Sequence, residues 1–448
     1  LKDKTERQAY AYIISLTLPI IIQNLFNAAV SSADVLMLNS VGQNAISAVS
    51  LATQYSNILG NIFMGLGSGV AMLSSQYWGK KDATSIRTLM GIALRISATA
   101  GIIFAAVTFF FSKQIMYIFT NDPNLVENGV IYLRTVSITY FCLSVSQVYQ
   151  ALLKSLEHVK TVTAITFISL GLNILLNATF IFGLFGAPKL GLFGVALATT
   201  ISRIIELFIS ILISKRIKEV KLSLSAIFCK NKLLTKDFLK YSLPAIGNEF
   251  VWGAAWATYS VILGHMGEEI VAANSVISTI RDLTSVLFFG MAYGGAILLG
   301  KQIGSGDLPL AKRNASRLIK STTLVGFLSA VILFCLKPVL PLIADLSPLA
   351  AHYRDSLLFI NCVSSLGAAI NTVLICGVFR SGGDARYGFI VDSIVMWCVS
   401  VPLGFLAAFV FKLPPIWVYI LLYLDELEKM PALIIHYKKG TWLKNITR

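Results

Sequence analysis

The chain has 448 residues, a formal net charge of +15, 56% apolar residues and only 13% charged ones, and its mean hydropathy is +0.75. A soluble domain carries about 25% charged residues, so this composition excludes an ordinary soluble enzyme and describes a polytopic membrane protein. The basic residues sit in short loops between apolar runs, as the positive-inside rule expects, which argues against a nucleic-acid partner.

A bilayer crossing needs about 20 apolar residues. The pattern predicts twelve crossings, at roughly 13–38, 46–74, 88–112, 128–152, 161–184, 192–214, 241–264, 270–299, 318–342, 354–378, 386–411 and 415–436. Breakers such as Asn121-Asp122-Pro123-Asn124, Gly186-Ala187-Pro188 and Pro414-Pro415 fall between them. An even number of crossings puts both termini on one side. That side takes Lys2, Lys4, Arg7, Lys80, Lys81, Arg87, Lys154, Lys160, Lys301, Arg313, Arg317, Lys320, Arg380 and Arg386, with the basic connection from Lys215 to Lys240. The other side takes little beyond Lys113, Lys189, Lys337, Arg354 and Lys412. The termini and central linker are therefore expected in the cytoplasm of a plasma (inner) membrane protein. Five of the six cysteines (Cys142, Cys335, Cys362, Cys376 and Cys398) lie in predicted crossings and read as small core residues.

The first crossing carries an unusual polar face. Gln23, Asn27, Ser31 and Asp34 follow at spacings of four, four and three, so they share one side of a helix. Lipid cannot solvate such a stripe, and a carboxylate within it is a functional candidate. The alternative is that Asp34 is capped or paired near a helix end.

The same segment opens an internal repeat. A shift of 225 places Pro19 on Pro244, Gly42 on Gly267, Gly65 on Gly290, Gly69 on Gly294, Gly79 on Gly304 and Asp82 on Asp307. A shift of 226 places Lys154-Ser155 on Arg380-Ser381. The expected organisation is all-α: an N-terminal six-helix lobe at 1–214, a cytoplasmic basic linker at 215–240 and a C-terminal six-helix lobe at 241–448. Six crossings per half give both halves the same orientation, hence parallel repeats about an axis along the membrane normal, with a cleft expected between them.

The seventh crossing brings Glu249 about two turns into the membrane, followed by Trp252, Trp256 and Tyr259 on one face. A carboxylate above an aromatic column suits a lipophilic cation. Equally, the tryptophans fit an interfacial belt or bundle core. Asn173 and Asn177, four apart on the fifth crossing, either face Asp34 or bond neighbouring helices. Arg203 and Glu206 are three apart and pair with each other. Arg281 and Asp282 are sequence neighbours that point apart on a helix, so each is expected to need another partner, with Glu249 a candidate for Arg281. Asp425 and Lys429 have pairing distance. Asp392 is a lone acid in an apolar run. No Walker loop, His/Cys metal cluster or Gly-x-Ser-x-Gly nucleophile motif is present, so neither ATP hydrolysis nor enzymatic catalysis is expected.

Taken in order, the motifs resemble the multidrug and toxic compound extrusion (MATE) family. They are Ala33-Asp34-Val35-Leu36-Met37, Gln76-Tyr77-Trp78-Gly79 with its repeat Gly300-Lys301-Gln302-Ile303-Gly304, Asn173-Ile174-Leu175-Leu176-Asn177, Arg380-Ser381-Gly382-Gly383-Asp384 and Lys439-Gly440-Thr441-Trp442. The resemblance implies a monomeric antiporter without cofactors that expels organic cations in exchange for Na⁺ or H⁺ by rocking two lobes. It implies coupling roles for Asp34 and Glu249, with Asn173, Asn177, Thr199, Thr200 and Asp392 as further coupling positions. One family branch has Asp where this chain has Asn177. The substrate cleft is expected at Gln23, Asn27, Ser31, Trp252, Trp256, Tyr259 and Arg281. A lipid-linked sugar or lipid flippase of the same superfamily would need a basic cleft, which Arg281 alone favours. An ion channel would need a ring of acids at one depth, and Asp34 and Glu249 stand at different depths.

Overall fold

The computed structural model describes residues 2–38, 41–217, 231–343 and 346–447. The side chains of residues 2–5, 31, 32, 35, 36, 43 and 342–343 also lie outside the description, and so does the predicted role of Ser31. All twelve predicted crossings are present as helices, and among the described residues there is no strand. They are α1 (Lys2–Leu38), α2 (Gln43–Gly79), α3 (Ala83–Phe110), α5 (Pro123–Ser155), α6 (Val159–Phe182) and α7 (Gly191–Arg216). A short helix that the hydropathy pattern does not reveal, α4 (Ser112–Phe119), follows α3. The second half supplies α8 (Lys232–Gly264), α9 (Glu268–Gly304), α10 (Leu308–Cys335), α11 (Pro348–Phe379) and α12 (Ala385–Val410). The last crossing is broken at Leu424 into α13 (Pro415–Tyr423) and α14 (Asp425–Lys439). Of the expected linker, residues 218–230 lie outside the described residues, and Lys232–Lys240 opens α8.

Ten of these helices are long and apolar enough to cross a membrane. The remaining two crossings, α8 and α13–α14, carry Glu249 and the cluster Asp425, Glu426, Glu428 and Lys429. Apolar side chains such as Ile102, Ile103, Phe208, Leu324, Phe327 and Phe359 are each more than half exposed mid-helix. On a membrane protein that outward face meets lipid.

The repeat is visible as local structure. Gly42 and Gly267 precede α2 and α9 with φ of 127° and 126°, a conformation that disfavours any side chain. Asp82 and Asp307 cap α3 and α10, accepting from the backbone N–H of Ser85 and Leu310 at 3.0 and 3.1 Å.

The chain divides into two compact units, Ile22–Ile246 and Leu1–Ile21 with Gly247–Arg448. Both α1 and α8 pass from one unit to the other, just after Pro19 and Pro244. Within the first unit, a Cβ on Gly65 would stand 2.6 Å from the Ile246 Cα, and one on Gly69 would stand 2.9 Å from the Ser242 Cα. Within the second, Gly290 and Gly294 receive Ile21 and Thr17 in the same way, at 3.2 and 3.0 Å from their Cα atoms. Small residues let helix backbones approach closely in lipid, and here the repeated glycines seat the opening segments of α8 and α1. Phe63, Met116 and Leu133 centre the first unit's apolar core; Leu333, Leu357 and Leu422 centre the second's.

The second unit contains wide π-helical turns at Val373–Phe379, Ser393–Ser400 and Leu406–Val410. Two of them directly follow Thr372 and Asp392 and so flank the polar residues described next.

Candidate functional site

In the first unit, α1 presents Asp34 to α6. Asp34 Oδ1 accepts from Asn177 Nδ2 at 2.8 Å, and the same nitrogen reaches Asn173 Oδ1 at 3.3 Å. Asn173 Nδ2 continues the chain to Thr199 Oγ1 on α7 at 3.5 Å. Asn177 therefore meets Asp34 directly, while Asn173 bonds Asn177 and the neighbouring helix α7. The Thr200 hydroxyl turns away and donates to the backbone carbonyls of Thr135 and Ala196 at 3.0 and 2.8 Å. Asn177 Oδ1 is buried and has no hydrogen-bond partner among the described residues.

Asp34 itself is half-buried and makes no ion pair among the described residues. Arg203 lies within electrostatic reach of it, but its Nη1 is 2.6 Å from Glu206 Oε2. Glu206 is held further by Gln150 Nε2 at 2.6 Å and Ser169 Oγ at 3.2 Å. Arg203 and Glu206 pair with each other, as their spacing predicts, and the hydrogen bond that meets Asp34 comes from a neutral amide. On the predicted polar face, Gln23 is buried and donates to Thr166 Oγ1 at 2.8 Å, while Asn27 is half-buried.

The second unit is arranged differently. Glu249 Oε1 accepts from Arg380 Nη1 at 2.8 Å, with both side chains almost fully buried. Arg380 Nη2 donates to Asn248 Oδ1 at 2.8 Å, and Asn248 Nδ2 donates to Asp392 Oδ2 at 2.6 Å. Lys429 Nζ then lies 3.1 Å from Asp392 Oδ1 and 3.0 Å from Asp425 Oδ2. A continuous buried network thus links α8, the end of α11, α12 and α14.

Two sequence expectations are corrected here. Arg380, counted among the loop cations, is 1% exposed and is the partner of Glu249. Arg281 is not that partner: it curls back onto its neighbour Asp282, with Nη2 3.2 Å from Oδ1, and donates to Tyr423 Oη at 2.9 Å. The backbone directions of successive residues do diverge, but a long Arg stem reaches around and Asp282 is exposed enough to meet it.

Trp252, Trp256 and Tyr259 do form a column, with ring centroids 5.9 and 5.7 Å apart. The Arg281 guanidinium lies against this column, 4.3 Å from the Trp256 centroid and 5.6 Å from that of Tyr423. The sequence reading paired Lys429 with Asp425 but missed Asn248 and Arg380 as members of the network. Their signals were the Asn248-Glu249 dipeptide and the Arg380-Ser381-Gly382-Gly383-Asp384 motif, read only as a family mark.

Two repeated bundles of membrane-spanning helices with carboxylates inside the membrane are the architecture of a secondary transporter. The MatE family model matches the chain twice, at residues 19–179 and 244–406, in step with the repeat. The chain belongs to this family of multidrug efflux transporters. It is 25% identical over 439 residues to the uncharacterized transporter YisQ of Bacillus subtilis (strain 168), covering 96% of this chain and 95% of that protein. It is likewise 25% identical to the probable multidrug resistance protein NorM of Rhizobium meliloti (strain 1021), over 89% of this chain and 86% of that one. Its fold is similar to a crystal structure of the Vibrio cholerae MATE transporter VcmN in a mutant form, with a TM-score of 0.89, 14% identity and 98% coverage of each chain.

Proposed function

We propose that the protein is an antiporter that exports lipophilic organic cations in exchange for Na⁺ or H⁺, with Asp34 as the exchanging group. The observation that carries this reading is that Asp34 makes no ion pair among the described residues. Its carboxylate is held by Asn177 at 2.8 Å, a neutral donor that leaves its charge available. Ionised, it attracts organic cations from the cytoplasm. Occupied by Na⁺ or H⁺ from the far side, it loses that attraction. A ligand shifts two conformations only by its differential affinity for them, and this exchange supplies such a difference. The carbonyl of Asn177, the Thr199 hydroxyl and the carboxylate are hard oxygen donors of the kind Na⁺ takes. Glu249, already balanced by Arg380, and Asp392, already met by Lys429, are assigned to the second unit's internal network. The termini face the cytoplasm, on the distribution of Lys and Arg.

The test is efflux of ethidium from proteoliposomes with Na⁺ and pH gradients imposed separately. One gradient should drive efflux, and Asp34→Asn should slow it at least tenfold without changing the melting temperature. Wild-type efflux by Asp34→Asn would overturn the assignment. Stepwise single-channel currents would point to a channel instead.

A further inference from the structure

The second unit holds more buried acid than base. Glu249 and Arg380 balance one another. The rest of the network sets one ammonium, Lys429, against three carboxylates, Asp392, Asp425 and Glu426. Their exposures are 2%, 3%, 1% and 8% in that order. An uncompensated buried charge costs several kcal/mol, and neutralisation by a proton is the usual escape. Lys429 reaches Asp392 and Asp425 but makes no ion pair with Glu426 among the described residues.

Glu426 is met by an amide. Asn371 Nδ2 donates to Glu426 Oε2 at 2.8 Å and to the Glu426 backbone carbonyl at 2.6 Å. Asn371 is 3% exposed, and its Oδ1 is a buried acceptor with no donor among the described residues. A carboxylic acid facing an amide closes a two-bond ring: the amide N–H bonds one carboxyl oxygen, and the acid O–H bonds the amide oxygen. The first bond is present. The vacant Asn371 acceptor is what a proton on Glu426 would fill.

We propose that Glu426 carries an exchangeable proton and is a proton-binding site of the second unit, separate from Asp34. Its own helix adds Asp425 and Lys429 beside it and an exposed Glu428. The helices packed against α14 bring Asp392 from α12, Arg380 from the end of α11, and Tyr419 and Tyr423 from α13. From α8, Tyr259 lies within electrostatic reach of Asp425, Lys429 and Glu426. Lys429 lies between Asp392 and Asp425, and Glu426 is the carboxylate of the three that it does not reach. Displacing Lys429 toward Glu426 would release the proton. The contribution of this site to coupling rests on the antiporter reading above; the site itself does not.

Infrared difference spectra of the reconstituted protein, recorded between neutral and alkaline buffer, test the site without reference to transport. The wild type should show the C=O stretch of a buried protonated carboxyl at neutral pH, lost on alkalinisation. Glu426→Gln, which keeps the size and the amide-facing hydrogen bonds of the protonated acid, should lack that band, and Asp34→Asn should keep it. Asn371→Leu should move the band to the frequency of an unbonded acid. A band that survives Glu426→Gln, or stays in place in Asn371→Leu, or is absent from the wild type, overturns the proposal. In ethidium-loaded proteoliposomes, Glu426→Gln should slow pH-driven efflux several-fold. A normal spectral result with no wild-type efflux would count against the antiporter reading alone. A normal spectral result with pH-driven efflux unchanged by Glu426→Gln would remove Glu426 from coupling and leave the proton site standing.

Discussion

Glu249 and Asp34 are both intramembrane acids, yet their surroundings differ. The Glu249–Arg380 pair is buried on both sides, so removing one partner strands the other. Arg380→Met should destabilise the protein by about 3–5 kcal/mol, and the double variant Glu249→Gln/Arg380→Met should recover much of that loss in thermal unfolding in detergent. Asp34→Asn strands nothing and should unfold near the wild-type temperature. At the aromatic column, Arg281 occupies the place an external cation would take. A cation–π contact contributes about 0.5–2 kcal/mol, so Arg281→Gln should tighten ethidium binding several-fold in a fluorescence titration. Unchanged affinity would show that ligands do not use the column.

The repeated elements begin with repeated devices. Asp82 and Asp307 each cap a helix, and replacing either by Ala should cost about 1 kcal/mol. Burial pushes the Asp82 carboxyl up, but the Ser85 hydroxyl and backbone N–H and the charge of Lys80 outweigh it and hold it below its ordinary value of 3.8. A depressed folded-state pKa adds stability that is present above that ordinary value and fades as pH falls through the depressed one. Asp82→Ala should therefore remove an acid-side slope from the stability curve of the wild type. The seated glycines are less forgiving. Gly69→Val and Gly294→Val each drive a side chain into the backbone of the helix seated there. Overpacking of this kind costs about 1–3 kcal/mol or more, and a monodisperse peak in fluorescence-detected size exclusion should shrink for both.

For the molecule in its membrane, the Lys and Arg distribution makes a directional prediction. A single cysteine in place of Lys81 should react with an impermeant maleimide only from the cytoplasmic side, and one in place of Lys189 only from the outside. The reverse pattern would invert the topology and the proposed direction of export. Much of this architecture was legible without coordinates. Hydropathy marks the twelve crossings because lipid imposes a length and a polarity on each one, residue by residue along the chain. The repeat is legible because Gly42 and Gly267, or Asp82 and Asp307, answer to backbone geometry that each half must satisfy locally. The short α4 was missed because an amphipathic surface helix needs no long apolar run.

The polar partnerships divide along the same line. Arg203–Glu206 and Asp425–Lys429 were readable because one helix turn fixes the distance between their side chains. Glu249–Arg380 and Asn248–Asp392 join residues 131 and 144 positions apart, and nothing local brings them together. Sequence alone therefore settled the twelve crossings and that the chain is doubled. Packing alone decided the partners of Glu249 and Asp392, because a charge hidden from water is governed by the few side chains that happen to enclose it.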